Sequence, residues 1–142
     1  MVDKVEFELV SPEKLLVSQP VFMVVVPSAD GMLGVLPDHA PMIVTIKPGV
    51  IDVYDNDMTT ISRRIFVAGG FCEVTGRRVT VLAEEAGDVD TLRGLDRAAL
   101  ESALQAARAE ADAAQSETER KAAEQKAAVA QAKLDLQGTV LH

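Results

Sequence analysis

The chain is poor in the aromatic residues that nucleic-acid-binding proteins use. Its 142 residues include no tryptophan, one tyrosine and four phenylalanines, whereas single-stranded nucleic acid is usually held by bases stacked on aromatic rings. The formal net charge is −8, and an acidic surface repels nucleic-acid phosphates and anionic lipid headgroups. We therefore expect no nucleic-acid partner and no direct binding to a membrane surface.

Cysteine and long apolar segments are also scarce. The single cysteine, Cys72, excludes an internal disulfide and is typical of a reducing cytoplasm. Because it lies in an apolar run, we expect a buried, unreactive thiol. No segment approaches the roughly 18 apolar residues of a membrane-spanning helix, and residues 1–4 are not followed by the apolar core of a signal peptide. The sequence predicts a soluble, cytoplasmic chain that reaches a membrane only through a partner.

Proline is absent after Pro48, and the composition changes near Gly87. Before that glycine, short runs of valine, isoleucine, leucine and phenylalanine are interrupted by glycine and proline. After it alanine dominates, with fifteen of the forty-two residues from 96 to 137. The change predicts two domains, residues 1–87 and residues 88–142.

The first domain has the pattern of a β-sandwich. Residues 5–9 alternate between apolar and polar, as in a half-buried strand, and residues 21–26 are almost continuously apolar, as in a strand covered on both faces. Similar runs separated by turn signals every 8–12 residues or so indicate a sandwich or barrel. We expect a ten-stranded β-sandwich, with nine runs that can be placed: residues 5–9, 14–17, 21–26, 32–36, 42–46, 50–54, 59–67, 71–74 and 79–83.

The second domain has the periodicity of two helices joined by a polar turn. Ser116 and Glu119 have the spacing of a capping box at the start of the second helix, and the result is an antiparallel hairpin. Because alanine buries little area but favours helix, the hairpin should be weakly held and able to change partner. The two apolar stripes at helical spacing are Leu100, Ala103, Leu104, Ala107, Ala111 and Ala114, then Ala123, Ala127, Ala130 and Leu134.

Residues 31–49, GMLGVLPDHAPMIVTIKPG, contain three of the six prolines. The corner at 37–41 carries one carboxylate and one imidazole but no nucleophile, so a docking surface fits it better than an active site. This stretch, together with LVSPE at 9–13, AGGFCEV at 68–74 and VTVLAE at 79–84, resembles the epsilon subunit of the bacterial rotary ATP synthase. The resemblance covers residues 5–85 closely and the remainder by architecture.

The resemblance implies a non-catalytic rotor subunit at the cytoplasmic face of the bacterial inner membrane. Its sandwich would couple the ring of c subunits to the gamma shaft, and its helices would contact the alpha/beta catalytic head and modestly inhibit ATP hydrolysis. Members often have an acidic side chain where this chain has Met32, which affects any charge-based contact there. The implied gamma contacts are Ser11, His39, Met42 and Val44, and the implied c-ring contacts are Asp30, Gly31 and Met32.

Some members of this family bind ATP through Ile or Leu, Asp, two residues, Arg and Ala at the start of the first helix. Here Leu95-Asp96 begins the motif, but Ala99 occupies the arginine position, and an offset match with Asp90 and Arg93 has valine and glycine at its ends. Asp90, Arg93 and Asp96 are thus candidate ATP-binding residues in an incomplete motif. The alternatives are a helix N-cap for Asp96 and a solvated first-turn residue for Arg93.

Other kinds of site have weaker support. Residues 55–57 lack the glycine and distant glutamate of a calcium loop and are better interpreted as a turn. We expect no metal, no catalytic residue and no cofactor apart from the regulatory ATP just considered. A small-molecule-binding β-sandwich with a helical dimerisation arm stays open as an alternative, whereas a hydrolase has no nucleophile–base pair in this sequence.

Overall fold

A computed structural model describes residues 4–138 of the chain. The chain divides into two compact units, Met1–Asp88 and Val89–His142. In its described part the first unit has ten strands: β1 Val5–Val10, β2 Leu15–Val21, β3 Met23–Ser28, β4 Gly31–Val35, β5 Met42–Ile46, β6 Gly49–Tyr54, β7 Arg63–Val67, β8 Gly70–Thr75, β9 Arg78–Ala83 and β10 Ala86–Asp88. The predicted ten-stranded β fold followed by a helical hairpin is confirmed.

The strands form two five-stranded halves. One half has the order β10-β7-β6-β3-β4 and the other β5-β8-β9-β1-β2. A single residue pair, Ser28 with Ile46, joins β3 to β5 and so connects the halves. Most neighbouring strands are antiparallel, but β1 and β9 run parallel, with Leu9 opposite Val81. The first strand therefore pairs with one that comes near the end of this unit in the sequence.

Alternating residues of both halves fill one hydrophobic core. Phe7, Ile51 and Val81 are each fully buried in it, and β1, β8 and β9 alternate between buried and exposed side chains as the sequence pattern predicts. At about 25 cal/mol per Å² of apolar area, such large buried side chains dominate the stability of the unit.

Three of the predicted strands have the wrong limits, and the one predicted at residues 14–17 continues to Val21. The strand predicted at residues 59–67 begins only at Arg63, because the Asp57 side chain accepts hydrogen bonds from the backbone N–H groups of Thr59 at 2.9 Å and Thr60 at 2.7 Å. These local bonds hold the segment in a turn and replace a strand ladder. The apolar run at 21–26 is likewise divided, since the chain bends at Phe22 between β2 and β3.

The second unit contains three helices in its described part: α1 Val89–Arg93, α2 Arg97–Ala113 and α3 Glu117–Gly138. The short α1, like β10 just before it, was not placed by sequence patterns, because segments of three and five residues are too short to show a period. The two long helices form the predicted hairpin.

The hairpin seam is built from few large side chains. Leu104, Ala130 and Leu134 form its buried cluster, with Leu100 and Ala127 packed against it. Ala103, which the sequence pattern places in the first stripe, is exposed. Only a narrow face of α2 contacts α3, and Ala103 lies outside that face. The seam therefore buries much less apolar area than the sandwich core.

Helix caps in this unit follow the sequence expectations. The Ser116 hydroxyl accepts a hydrogen bond from the Glu119 N–H at 3.1 Å, and the Glu119 carboxylate accepts one from the Gln115 N–H at 3.1 Å. The carboxylate thus reaches one residue further back than in a standard capping box. The Gln137 side-chain amide donates to the carbonyl oxygen of Leu95 at 2.7 Å, which ties the end of α3 to the α1–α2 connection.

Candidate functional site

The corner at residues 37–41 is held by backbone hydrogen bonds. Asp38 adopts a left-handed backbone conformation with φ of 63°, and its N–H donates to the carbonyl of Gly76 in the β8–β9 turn at 3.0 Å. His39 Nδ1 lies 2.8 Å from the carbonyl oxygen of Ala40. These bonds give the corner a fixed shape and place it beside the Gly76 turn.

Strand β5 presents two different faces directly after this corner. Met42 and Val44 are half-buried and pack against the core, whereas Ile43 and Thr45 are exposed on the opposite face. Met42 and Val44, which the resemblance implied as gamma contacts, therefore lie mainly beneath the exposed face of β5. The exposed apolar residue of this strand is Ile43, which was not among the contacts implied by the family resemblance.

Ser11 lies at the other end of the same half-sheet. Its neighbour Val10 pairs with Leu82, which belongs to the end of β8 and β9 remote from the Gly76 turn. The Ser11 hydroxyl and backbone N–H both bond to Lys14, so a small loop closes there. Ser11 and His39 thus lie at opposite ends and on opposite sides of the half-sheet, at least the length of a five-residue strand apart, roughly 13 Å, and do not form one cluster.

An apolar row crosses the exposed face between those two ends. The pairing register aligns one residue from each of five neighbouring strands, and three of them are large apolar side chains about half exposed to solvent. The aligned residues, here called the apolar row, are Thr45, Phe71 (55% exposed), Leu82 (49%), Val10 and Leu15 (56%).

The next row on the same face is mostly polar. It consists of Ile43, Glu73, Thr80, Glu8 and Ser18. Glu8 is paired with Arg78 at 3.4 Å, and Ile43, 70% exposed, extends the apolar surface at one end. A groove of about 400 Å³ beside the apolar row is lined by Ser11, Pro12 and Phe71, among others. An apolar centre with a polar border is the usual composition of a protein-binding surface.

The three residues implied as c-ring contacts lie on one hairpin. Ala29 and Asp30 form the two-residue turn between β3 and β4, and Gly31 follows with φ of +128°, a conformation that side chains disfavour. Met32 is 59% exposed, and the Ser28 hydroxyl donates a hydrogen bond to the Gly31 carbonyl. The structure therefore brings Asp30, Gly31 and Met32 together on a projecting, well-braced tip.

The three candidate ATP-binding residues have different surroundings. Asp96 is the N-cap of α2, because its carboxylate accepts from the Ala98 N–H at 3.0 Å. Asp90 is exposed in the first turn of α1, and the half-buried Arg93 lies in its last turn. The capping role explains an aspartate at position 96 without a bound nucleotide.

Groups suited to chemical reactions are few. Burial raises the pKa of the Cys72 thiol to about 11, so almost none of it is the reactive thiolate near neutral pH. Hydrogen bonds from the N–H groups of Thr60 and Thr59 lower the pKa of Asp57, as expected for a turn carboxylate. Within residues 4–138 no group of three or more His, Cys, Asp and Glu side chains could hold a metal ion. The surface is suited to binding.

Comparison with known proteins gives consistent results for both parts of the chain. Residues 4–88 match the family model of the ATP synthase delta/epsilon chain β-sandwich domain. A protein of Rhodospirillum centenum described as ATP synthase epsilon chain is 65% identical over 136 residues, covering 96% of this chain and 93% of the relative. Another of that description, from Rhodospirillum rubrum, is 55% identical over 107 residues, covering 75% of this chain and 76% of the relative.

Solved structures share the fold at lower identity. A chain in the cryo-EM structure of the Euglena gracilis mitochondrial ATP synthase (OSCP/F1/c-ring) superposes with a TM-score of 0.69 at 22% identity, covering 91% of this chain and 78% of that one. A chain from the Tetrahymena thermophila mitochondrial ATP synthase (central stalk/c-ring) gives 0.65 at 13% identity, covering 95% of this chain and 97% of that one. No helix in the described part combines the length and apolar character needed to cross a bilayer. Because its β-sandwich domain matches the family model and it is 65% identical to an epsilon chain over nearly its full length, this chain belongs to the ATP synthase epsilon-chain family.

Proposed function

We propose that this chain is a rotor subunit of a proton-translocating ATP synthase, on the cytoplasmic face of a bacterial inner membrane. Its sandwich would dock to the gamma shaft through the apolar row and to the ring of c subunits through the β3–β4 hairpin. In this role the chain catalyses nothing itself and requires no cofactor. Rotation of the ring would then turn the shaft.

The apolar row carries this proposal. Phe71, Leu82 and Leu15 expose large apolar side chains in one row across the same face of a half-sheet, with Val10 between Leu82 and Leu15. Single exposed apolar residues are common on monomers, but an aligned group with a polar border marks a surface that is covered by a partner. The solved relatives with this fold come from ATP synthase assemblies that include the c-ring, which supports the gamma shaft and the ring as the partners.

Gamma binding can be tested with one charge placed in the apolar row. Phe71→Glu would bury an unpaired carboxylate in the interface, so affinity for purified gamma should fall by about thirtyfold or more, the effect expected at an interface hot spot. Met58→Glu is the matched control, because Met58 is equally exposed (56%) but lies in the loop after β6. Unchanged affinity for a folded Phe71→Glu variant would place the gamma contact elsewhere.

The helical hairpin has a second, regulatory role in this proposal. The seam between its two helices, a few leucines and alanines, needs only a few kcal/mol of competing contact to open, so the helices would separate, contact the alpha/beta head and slow ATP hydrolysis. The acidic charge of the hairpin limits its grip on a negatively charged head, and the inhibition should be modest.

Removal of the hairpin tests this role. An assembled complex whose subunit ends after Asp88 should keep ATP synthesis and show faster ATP hydrolysis than the intact complex. The control is the intact subunit added back to the same complex. Equal hydrolysis rates, in the absence of other inhibitory subunits, would leave the hairpin with an assembly role only.

A further inference from the structure

Ser28 has an unusual position at the end of β3. Its side chain is only 7% exposed, and it is the one buried polar residue in the described part of the chain. Its hydroxyl donates a hydrogen bond to the Gly31 carbonyl, directly across the two-residue turn. A buried hydroxyl is retained at low cost only when it is bonded, so this bond fixes the shape of the hairpin tip.

The same residue connects the two halves of the sandwich. Ser28 and Ile46 are the only residue pair between β3 and β5 in the described strands. Backbone hydrogen bonds flank this pair on both sides, from the Ala29 N–H to the Thr45 carbonyl at 2.9 Å and from the Lys47 N–H to the Pro27 carbonyl at 2.9 Å. The hairpin tip is therefore attached directly to β5.

Strand β5 also belongs to the proposed gamma surface. Thr45 is a member of the apolar row, opposite Phe71, and the exposed Ile43 lies two residues away. Thr45 thus accepts a hydrogen bond from the hairpin through its carbonyl while it occupies the surface that would face gamma. A direct backbone connection of this kind transmits a displacement with little loss, because hydrogen-bonded strands are stiff compared with loops.

We infer that Ser28 is a positioning residue: its hydroxyl stiffens the tip of the β3–β4 hairpin, which backbone hydrogen bonds attach to β5. Force applied by the c-ring at Met32 would then reach the gamma surface through Ala29 and Thr45. This inference rests on the proposed rotor function. Gly31, with φ of +128° and open space around it, would otherwise allow the tip to bend. Without the Ser28 hydroxyl the hairpin would still form, but it would yield under load.

The test uses Ser28→Ala, with Ser18→Ala as the matched control on an exposed position of β2. In the isolated subunit, hydrogen exchange at the Ala29 amide, which donates to the Thr45 carbonyl, should become about tenfold faster in Ser28→Ala, as expected when one hydrogen bond that stiffens the tip is lost. In the reconstituted complex, proton pumping per ATP hydrolysed should fall by about threefold, a typical effect on coupling between sites. Gamma affinity should stay unchanged.

Ser28→Thr, which keeps the hydroxyl, should restore both measurements. Faster exchange with normal pumping per ATP would overturn the inference, since the hydroxyl would then have a local structural role only. Pumping that falls equally in Ser18→Ala would overturn it as well. If the wild-type subunit binds neither gamma nor the c-ring, the proposed function itself fails and the inference fails with it, whatever the exchange rates are.

Discussion

The sandwich and the helical hairpin are stabilised in different ways. The sandwich buries large side chains such as Phe7, Leu9 and Ile51 in its core, and its strands pair residues that are far apart in the sequence. The hairpin buries a few leucines among alanines, and its backbone hydrogen bonds are local to each helix. One unit is therefore held by its core, and the other by helix propensity and caps.

This difference matches the two roles proposed for them. A part that transmits torque must keep one shape under load, and a dense core with non-local pairing provides this because close-packed interiors resist deformation. A regulatory arm must stay folded while it changes partners, and alanine-rich helices do so because alanine has the highest helix propensity. The experiments below weaken either the sandwich or the hairpin and measure whether the other unit is affected.

The largest expected effect comes from Gly70, which begins β8. A Cβ at this position would overlap the Leu82 carbonyl, and the φ of +137° is unfavourable for any side chain. Gly70→Ala should destabilise the sandwich by about 4 kcal/mol, measured by urea denaturation. Gly94→Ala, whose Cβ would make an ordinary contact with the Thr91 carbonyl, is the control and should change stability by less than about 1 kcal/mol.

The second effect is confined to the hairpin. Leu104→Ala removes the largest contribution of α2 to the seam, and a loss of roughly 2–3 kcal/mol is expected from the cavity and the lost apolar burial. The helical signal at 222 nm should then melt at a lower temperature while the β signal melts unchanged. Leu95→Ala, at an exposed position, is the control, and an equal shift of both transitions would show that the two units unfold together.

A smaller effect is expected at the turn between α2 and α3. Ser116→Ala removes the hydroxyl that accepts from the Glu119 N–H, and loss of a cap of this kind costs about 1 kcal/mol. Hydrogen exchange in the first turn of α3 should be faster by the factor that corresponds to this free energy. Ser102→Ala, at an exposed site within α2, should stabilise that helix slightly, because alanine is the better helix former. Destabilisation by both variants would mean that the cap is not the cause.

The smallest effect should be found at Cys72, which reports on the sandwich alone. Its thiol is fully buried in the core, so a thiol reagent reaches it only when the sandwich opens. At pH 8 the labelling rate in Leu104→Ala should therefore equal that of the wild type. A faster rate would show that weakening the hairpin also loosens the sandwich.

The Cys72 thiol also makes the free energy of unfolding depend on pH, in a direction that its raised pKa determines. Its pKa is raised from 9.0 to about 11 in the folded chain, so between these values the unfolded chain has lost a proton that the native state still holds. Stability due to this group is complete below pH 9 and is lost as the pH rises towards 11. By pH 10 the wild type should lose on the order of 1 kcal/mol more than Cys72→Ala, measured by urea denaturation. The reverse sign would contradict burial of the neutral thiol.

Much of the fold could be predicted because periodicity is a local property. The alternation in residues 5–9 and the stripe ending at Leu134 gave the correct element types, and the Ser116 cap was found where its spacing predicted. The turn at residues 55–57 was predicted, but its continuation to residue 62 was not, because Asp57 forms side-chain bonds to the backbone that strand propensity does not include.

The proposed binding surface was harder to predict because it depends on register. Phe71, Leu82 and Leu15 are far apart in the sequence, and only the pairing of five strands brings them into one row. The gamma contacts implied by the family resemblance, which include the half-buried Met42 and Val44, stay a prediction. A strict reading of the alternation in β8, with Cys72 and Val74 inside, would have identified Phe71 as an exposed aromatic residue.

The parallel pairing of β1 with β9 has a consequence for the order in which the protein folds during synthesis. Leu9 cannot meet Val81 until more than half of the chain has left the ribosome, whereas each helix of the hairpin can form as soon as its own residues emerge. Non-local pairing of this kind slows folding, and strands that wait for a partner expose unpaired edges. The newly made β1–β2 hairpin, with Val10 and Leu15 on one face, therefore keeps the other edge of β1 unpaired until β9 has been made.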